Sequence, residues 1–223
     1  IDDELGAANL NLMLYTTHRR AGKETHYVET IASGMADGLL LVVPLTPDSY
    51  LAALRARQFP YVLVDQHDSH NASYEVIATN YQGAYDATRY LIELGHRRIA
   101  FITGLSELYS THERLRGYRA ALDQAGIPFN PAYVAEGDFW KDAAYRATTA
   151  LLALPQRPTA IFAANDLTAI GAMNALSDHD LSVPGDMSIV GFDDIAQARF
   201  TIPRLTTVRQ PLEQMGRSAV ALL

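Results

Sequence analysis

Short apolar runs rich in Val, Ile, Leu and Phe recur along this chain with amphipathic stretches between them, and that alternation leaves few folds open. The runs span residues 10–15, 38–43, 61–64, 99–103, 160–163 and 188–192. Their length and flanking turn formers are the signature of buried strands. Between them, apolar side chains fall at helical spacing: Ala84, Ala87, Leu91 and Leu94; then Leu115, Tyr118, Leu122 and Ala125; then Ala169, Met173 and Leu176. Strands that alternate with helices pair in parallel, because a parallel crossover needs a dozen or more residues and usually uses a helix. The expectation is therefore an α/β doubly wound architecture with parallel sheets. Turn residues agree with it: Gly95 closes a helix that begins near Asn80, Gly126-Ile127-Pro128 ends the next, and Ser182-Val183-Pro184-Gly185 precedes the strand at 188–192.

Composition narrows the function classes. With 223 residues and 48% hydrophobic content, the chain can bury one large core or the cores of two lobes. It has no apolar run of about 18 residues and opens on no charged-then-apolar leader, so neither a membrane span nor a signal peptide is expected. Cysteine is absent, which removes disulfides and thiolate chemistry and suits a reducing cytoplasm. The formal net charge of −7 has the wrong sign for neutralising DNA phosphates, so this piece is not expected to grip DNA by itself. Both ends read as cut. Residues 1–5 have helical character with no strand before them, and residues 218–223 stop inside an apolar helical run.

Open α/β sheets bind ligands beyond the carboxyl ends of their strands, so the residues that follow each run are the candidates. Asp65 and Asp193 each follow one directly, Asn165 follows the 160–163 run after Ala164, and Arg114 lies just after the 99–103 run and its loop. Two carboxylates, an amide and a guanidinium suit a neutral polyhydroxyl ligand: carboxylates accept from hydroxyls, Asn does both jobs, and Arg donates in a fixed fork. Each has a plainer reading. Asn165 and Asp166 could cap the following helix, Asp193-Asp194 could form a turn, Arg114 could be a solvated charge, and Asp65 could merely end a strand. Their common placement at one sheet edge favours a site. Phe139 and Trp140 stand at a helix start where one ring could stack on a ligand and the other be core; Phe139 is the preferred lid.

Other chemistry finds less support. Asp65-Gln66-His67-Asp68-Ser69-His70 packs two carboxylates and two imidazoles into six residues, but such side chains diverge in an extended loop, and a polar surface loop is the preferred reading. His18, His26, His96, His112 and His179 have no nucleophile and orienting acid at a recognisable spacing. No Gly-rich phosphate loop follows any strand. No metal, cofactor or catalytic role is expected. A glycosidase using Asp65 and Asp193 as paired carboxylates is the enzyme rival, with no turnover of a glycoside panel expected.

Five stretches in order resemble the LacI/GalR regulators. They are Gly95-His96-Arg97-Arg98-Ile99-Ala100-Phe101-Ile102-Thr103-Gly104, Glu113-Arg114-Leu115-Arg116-Gly117-Tyr118, and Arg157-Pro158-Thr159-Ala160-Ile161-Phe162-Ala163-Ala164-Asn165-Asp166; then Val183-Pro184-Gly185-Asp186-Met187-Ser188-Ile189-Val190-Gly191-Phe192-Asp193-Asp194 and Pro203-Arg204-Leu205-Thr206-Thr207-Val208-Arg209-Gln210-Pro211. The resemblance covers essentially the whole chain. It implies a type I periplasmic-binding-protein-like core of two lobes with a ligand cleft between them, one from residues 1–78 plus 210–223 and the other from 79–209. It also implies effector contacts at Asp65, Arg114, Phe139, Asn165 and Asp193, a homodimer, and operator DNA bound through an N-terminal headpiece. The function expected is that of a cytoplasmic repressor's effector core, with a sugar as the favoured ligand because of Asn165. A purine or nucleoside remains open, and a periplasmic sugar-binding protein of a transport system is the alternative.

Overall fold

The computed structural model describes every residue except Arg19 and Thr46, and describes only the backbone of Ala21. The chain divides into two compact units. One comprises residues 1–78, 107–109 and 211–223, and the other residues 79–106 and 110–210.

In the first unit, strands β1 (Leu39–Val42), β2 (Tyr61–Val64) and β3 (Tyr74–Val76) form a parallel sheet in that order. Side chains alternate across it, as the pleat requires. Leu41, Leu63 and Tyr61 pack with Val28 of α2 (Ala21–Ala32) and with Tyr50, Leu51 and Leu54 of α3 (Asp48–Ala56). Val62 and Val64 pack on the other face against Met215 and Ala219 of α8 (Leu212–Leu222). Helix α1 (Asp2–Ala7) joins α8 through an ion pair between Glu4 and Arg217 at 2.9 Å. Within the loop after β2, Asp68 is fully buried. It accepts from the His70 and Ala72 amides at 3.0 and 3.2 Å and from the Ser73 hydroxyl, and pairs with Arg55 at 3.0 Å. Burial alone would raise its pKa, but these donors hold the carboxyl below its ordinary value.

The second unit holds five parallel strands in the order β5-β4-β6-β7-β8: β4 (Ile99–Ile102), β5 (Val134–Ala135), β6 (Ala160–Ala163), β7 (Ser188–Asp193) and β8 (Thr206–Arg209). The chain leaves β4 toward β5 on one side and reaches β6 on the other, so the order reverses between β4 and β6. Ala100, Ile102, Ile161 and Ala163 face α6 (Lys141–Leu152) and α7 (Asp166–Asp178) through Leu151, Ala169, Ala172 and Leu176. On the opposite face Phe101 stacks on Phe162, with centroids 4.9 Å apart, and on Tyr118 of α5 (Tyr109–Gln124) at 5.5 Å. Helix α4 (Asn80–Glu93) lies on α5 so closely that a Cβ at Gly117 would stand 2.2 Å from the Tyr81 carbonyl oxygen.

The run at 10–15 departs from expectation, because it forms no strand among the described residues. Its side chains are exposed, Leu14 to 80%. A strand exists through its ladder bonds, and β1 is bonded along its β2 side alone among the described strands, so apolar content did not suffice. Conversely, β3 and β8 carry no apolar run. Both are short edge strands with half-exposed, polar sequences, which is how edges ordinarily look.

At the amino ends of the strands, His96 ties two others together: Nδ1 lies 2.9 Å from Thr159 Oγ1 and Nε2 2.9 Å from Ser188 Oγ. Burial lowers its pKa, favouring the neutral ring. Its contribution to stability is therefore fully present above the ordinary histidine value of about 6.5 and declines as pH falls below it. The melting temperature of the protein should fall more between pH 7 and pH 5 than that of His96→Gln; parallel pH profiles would contradict this. Gly117→Ala should cost about 1–3 kcal/mol in chemical denaturation, since two backbones must separate.

Candidate functional site at the strand carboxyl ends

Arg114, Phe139, Asn165 and Asp193 come together in the second unit, around the carboxyl ends of β4, β6 and β7. This is the position at which the strand order reverses, where doubly wound sheets hold ligands. Asp65 lies in the first unit, directly after β2, with its amide donating to the Val76 carbonyl at 2.9 Å.

Arg114 is the centre of the group. It projects from the second turn of α5, is 2% exposed, and lies flat over the Phe192 ring with its guanidinium carbon 3.8 Å from the centroid. Its Nε donates to Asn80 Oδ1 at 2.9 Å, an NH1 proton goes to the Ala164 carbonyl, and NH2 stands 3.8 Å from Asp193 Oδ1. A charge this deep is stable only because its donors and its counter-charge are supplied. The plainer reading of Arg114 as a solvated charge does not hold.

Asp193 ends β7 with φ at +113°, and Asp194 follows at +58°. The same left-handed backbone occurs at Val43 (+49°) after β1 and Asp65 (+54°) after β2. Positive φ is uncommon outside glycine, and for β-branched Val43 it is costly; such residues cluster at ligand clamps and active sites. Asp193 Oδ1 accepts from Gln210 Nε2 at 2.7 Å, and the Gln210 amide donates to its carbonyl at 3.3 Å. Asp194 instead serves the surface, taking Arg209 Nε at 2.6 Å.

Phe139 is buried at φ +69°, whereas Trp140 is 52% exposed and caps α6. The Phe139 ring lies against Gly104 so tightly that a Cβ there would come within 1.9 Å, and its centroid is 6.0 Å from the Arg114 guanidinium. Asn165 caps α7: Oδ1 accepts from the Thr168 amide at 2.8 Å and Nδ2 donates to the Phe139 carbonyl at 3.3 Å. Each end of its amide thus engages protein once, which leaves a second proton and a second lone pair for a ligand. The buried Asp166 beside it accepts from the Ile195 amide at 2.8 Å and the Thr207 hydroxyl, linking α7 to β8; burial pushes its carboxyl up.

Sequence reasoning passed over Asn80 and Gln210, the partners of Arg114 and Asp193. Both stand beside the positions at which the chain passes between units, Asn80 following Thr79 and Gln210 preceding Pro211, and that adjacency was the available signal. The 65–70 run is committed otherwise, with Asp68 inside its own loop and His67 Nδ1 3.0 Å from Glu75 Oε2. Among the described residues no group of three or more His, Asp or Glu could hold a metal ion, and no helix is long and apolar enough to cross a membrane.

The family model of the periplasmic binding protein-like domain matches residues 88–223. A regulatory protein of the LacI family from Chloroflexus aggregans superposes with a TM-score of 0.87 at 32% identity, over 100% of this chain and 80% of that one. The chain belongs to the LacI family. It supplies that family's periplasmic-binding-protein-like core, with the mixed α/β fold and parallel sheets described above. Among other LacI-family neighbours, the CelR–cellobiose complex, described as a transcriptional regulator, has a TM-score of 0.90 at 33% identity, covering 100% of this chain and 68% of that one. The HTH-type transcriptional repressor PurR of Pectobacterium carotovorum (strain PC1) is 38% identical, and that of Proteus mirabilis (strain HI4320) 36%. The chain spans 66% of the length of these repressors, all of it matched.

For this LacI-family core the guanidinium is as much a structural group as a site group. Arg114→Ala should lower unfolding free energy by about 3–5 kcal/mol, because Asn80, the Ala164 carbonyl and Asp193 lose a shared buried partner. Asp193→Asn, which keeps an oxygen for Gln210, should cost less than half as much in urea titrations. Equal losses would assign Asp193 to scaffold.

Proposed function

We propose that this chain is the effector-sensing core of a transcriptional repressor, and that Asp65, Arg114, Phe139 and Asp193 contact a small neutral effector. Asn165 holds Phe139 in place. The observation that carries this reading is Asp193. Its backbone is held in a costly conformation at the end of β7, its carboxylate beside a buried guanidinium, at the strand-order reversal where ligands bind in such sheets. Repressor relatives matched along the whole chain support regulation over transport or catalysis.

A carboxylate acceptor beside an aromatic ring suits either a sugar or a purine-type base. Asn165, which caps α7 and still has a donor and a lone pair to offer, suits a sugar. The base gains from the relatives named PurR. In the intact protein an N-terminal headpiece contacts operator DNA and two subunits pair on its symmetric site. The effector acts by binding one arrangement of the core better than another, because equal affinity for both would shift nothing.

A thermal-shift screen of the intact protein against neutral sugars and purine bases tests this. A ligand at about 100 times its dissociation constant adds about 2.7 kcal/mol of stability. The shift should disappear in Asp193→Asn while its unliganded melting curve persists. A full shift in that variant would remove Asp193 from the site. Residues 1–223 alone, at net charge −7, should give no salt-sensitive operator complex in mobility-shift assays; a specific complex would mean that the DNA-reading element lies within them.

A further inference from the structure

The first unit holds a cavity at the end of its sheet opposite to Asp65. Asp65 follows the carboxyl end of β2, whereas the cavity opens at the amino ends of β2 and β3, where α3 and α8 finish. It measures about 300 Å³, the lower end of the range that small-molecule sites occupy. Phe59, Pro60, Leu222 and Leu223 supply apolar walls. Leu222 and Leu223 remain 41% and 37% exposed, so that wall is still wetted and has apolar area left to bury.

The polar groups of the cavity are donors. Arg55, in the last turn of α3, gives NH1 to Tyr61 Oη at 3.3 Å and to Asp68 Oδ2 at 3.0 Å. Its Nε and NH2 have no partner among the described residues, although the side chain is only 29% exposed. Those two nitrogens form the side of the fork that receives a carboxylate through two parallel hydrogen bonds. Asp68 does not consume the charge of Arg55, because its carboxylate also takes the His70 and Ala72 amides and the Ser73 hydroxyl. The Gln58 amide and the Tyr74 hydroxyl line the same cavity and have no hydrogen-bond partner among the described residues. Among those residues no acidic side chain lines it, in a chain whose net charge is −7. A guanidinium fork, two further donors and an apolar wall together select an anion with an apolar body.

We propose that this cavity is a second ligand site, which takes a small carboxylate carrying a ring or a short branched aliphatic body. The carboxylate lies against Arg55 Nε and NH2, with Gln58 and Tyr74 as further donors, and the body lies on Phe59 and the two leucines. A carboxylate is preferred to a phosphate because a single guanidinium balances one charge and the other polar groups are neutral. Removing the anion from water is costly, and the fork and the apolar contact offset that cost only in combination. Acetate lacks the body, and a carboxamide lacks the charge. The inference is independent of the proposed effector site, whose ligand is neutral.

Fluorine NMR of para-fluorobenzoate with the full-length protein tests it, with benzoate, cyclohexanecarboxylate, acetate, benzamide and phenyl phosphate as competitors. The probe should broaden in the presence of protein. Benzoate and cyclohexanecarboxylate should displace it at concentrations about tenfold below those of the other three competitors. Gln58 is exposed, so substitution there should leave the fold intact. Gln58→Glu should weaken the probe about threefold and Gln58→Lys should strengthen it by about as much. Arg55→Lys, which keeps the charge beside Asp68 but lacks the fork, should weaken it about tenfold. Asp193→Asn should leave its affinity unchanged. No binding by the native protein, or affinity indifferent to both Gln58 substitutions, would overturn the site. Loss of the probe in Asp193→Asn would place it with the effector instead, and displacement by benzamide or phenyl phosphate as readily as by benzoate would overturn the ligand class.

Discussion

A guanidinium buried to 2% exposure must have a partner in every direction in which it donates, and the second unit is assembled around meeting that demand for Arg114. The first residue of α4 supplies Asn80, the end of β6 supplies the Ala164 carbonyl, and the last residue of β7 supplies Asp193. Phe192, on the same strand, provides the face on which the charge lies. One side chain thus fixes a helix start and two strand ends relative to one another. An arrangement held this firmly presents Asp193 in a defined direction without needing a ligand to organise it, which is what a selective site requires.

The same economy governs the neighbours. Gly104 exists as glycine because the Phe139 ring occupies the space of a side chain, and Asn165 fixes the Phe139 backbone while capping α7. Asp166 ties α7 to the chain after β7 and to β8. At the opposite strand ends His96 bridges the Thr159 and Ser188 hydroxyls, and Arg98 Nε donates to the Arg157 carbonyl at 2.8 Å.

Much of this was legible in the sequence, for identifiable reasons. Buried parallel strands have apolar residues on both faces, so β2, β4 and β6 stood out as continuous runs. Arg114, Asn165 and Asp193 followed from a topological rule applied to those runs and meet in one unit with Phe139, which its aromatic ring at a helix start singled out. Illegible features depended on long-range partners. Residues 10–15 look like a strand but find no ladder among the described residues, whereas β8 is a strand because β7 lies beside it. Whether Arg114 was a surface charge or a buried hub turned on Asn80, 34 residues away, and on Ala164, 50 residues away. Asn165 caps α7 through Oδ1, and its Nδ2 reaches the Phe139 carbonyl 26 residues away, a partner that spacing alone did not show.

The central claim is that a neutral, donor-bearing effector lies against the Asp193 carboxylate at the end of β7. A crystal structure of the full-length protein grown with its tightest-binding neutral sugar or purine tests that most directly. Ligand density is expected within hydrogen-bonding distance of Asp193, with the ring of Phe139 against the ligand. Density for the ligand elsewhere, with neither Asp193 nor Phe139 in contact with it, would contradict it.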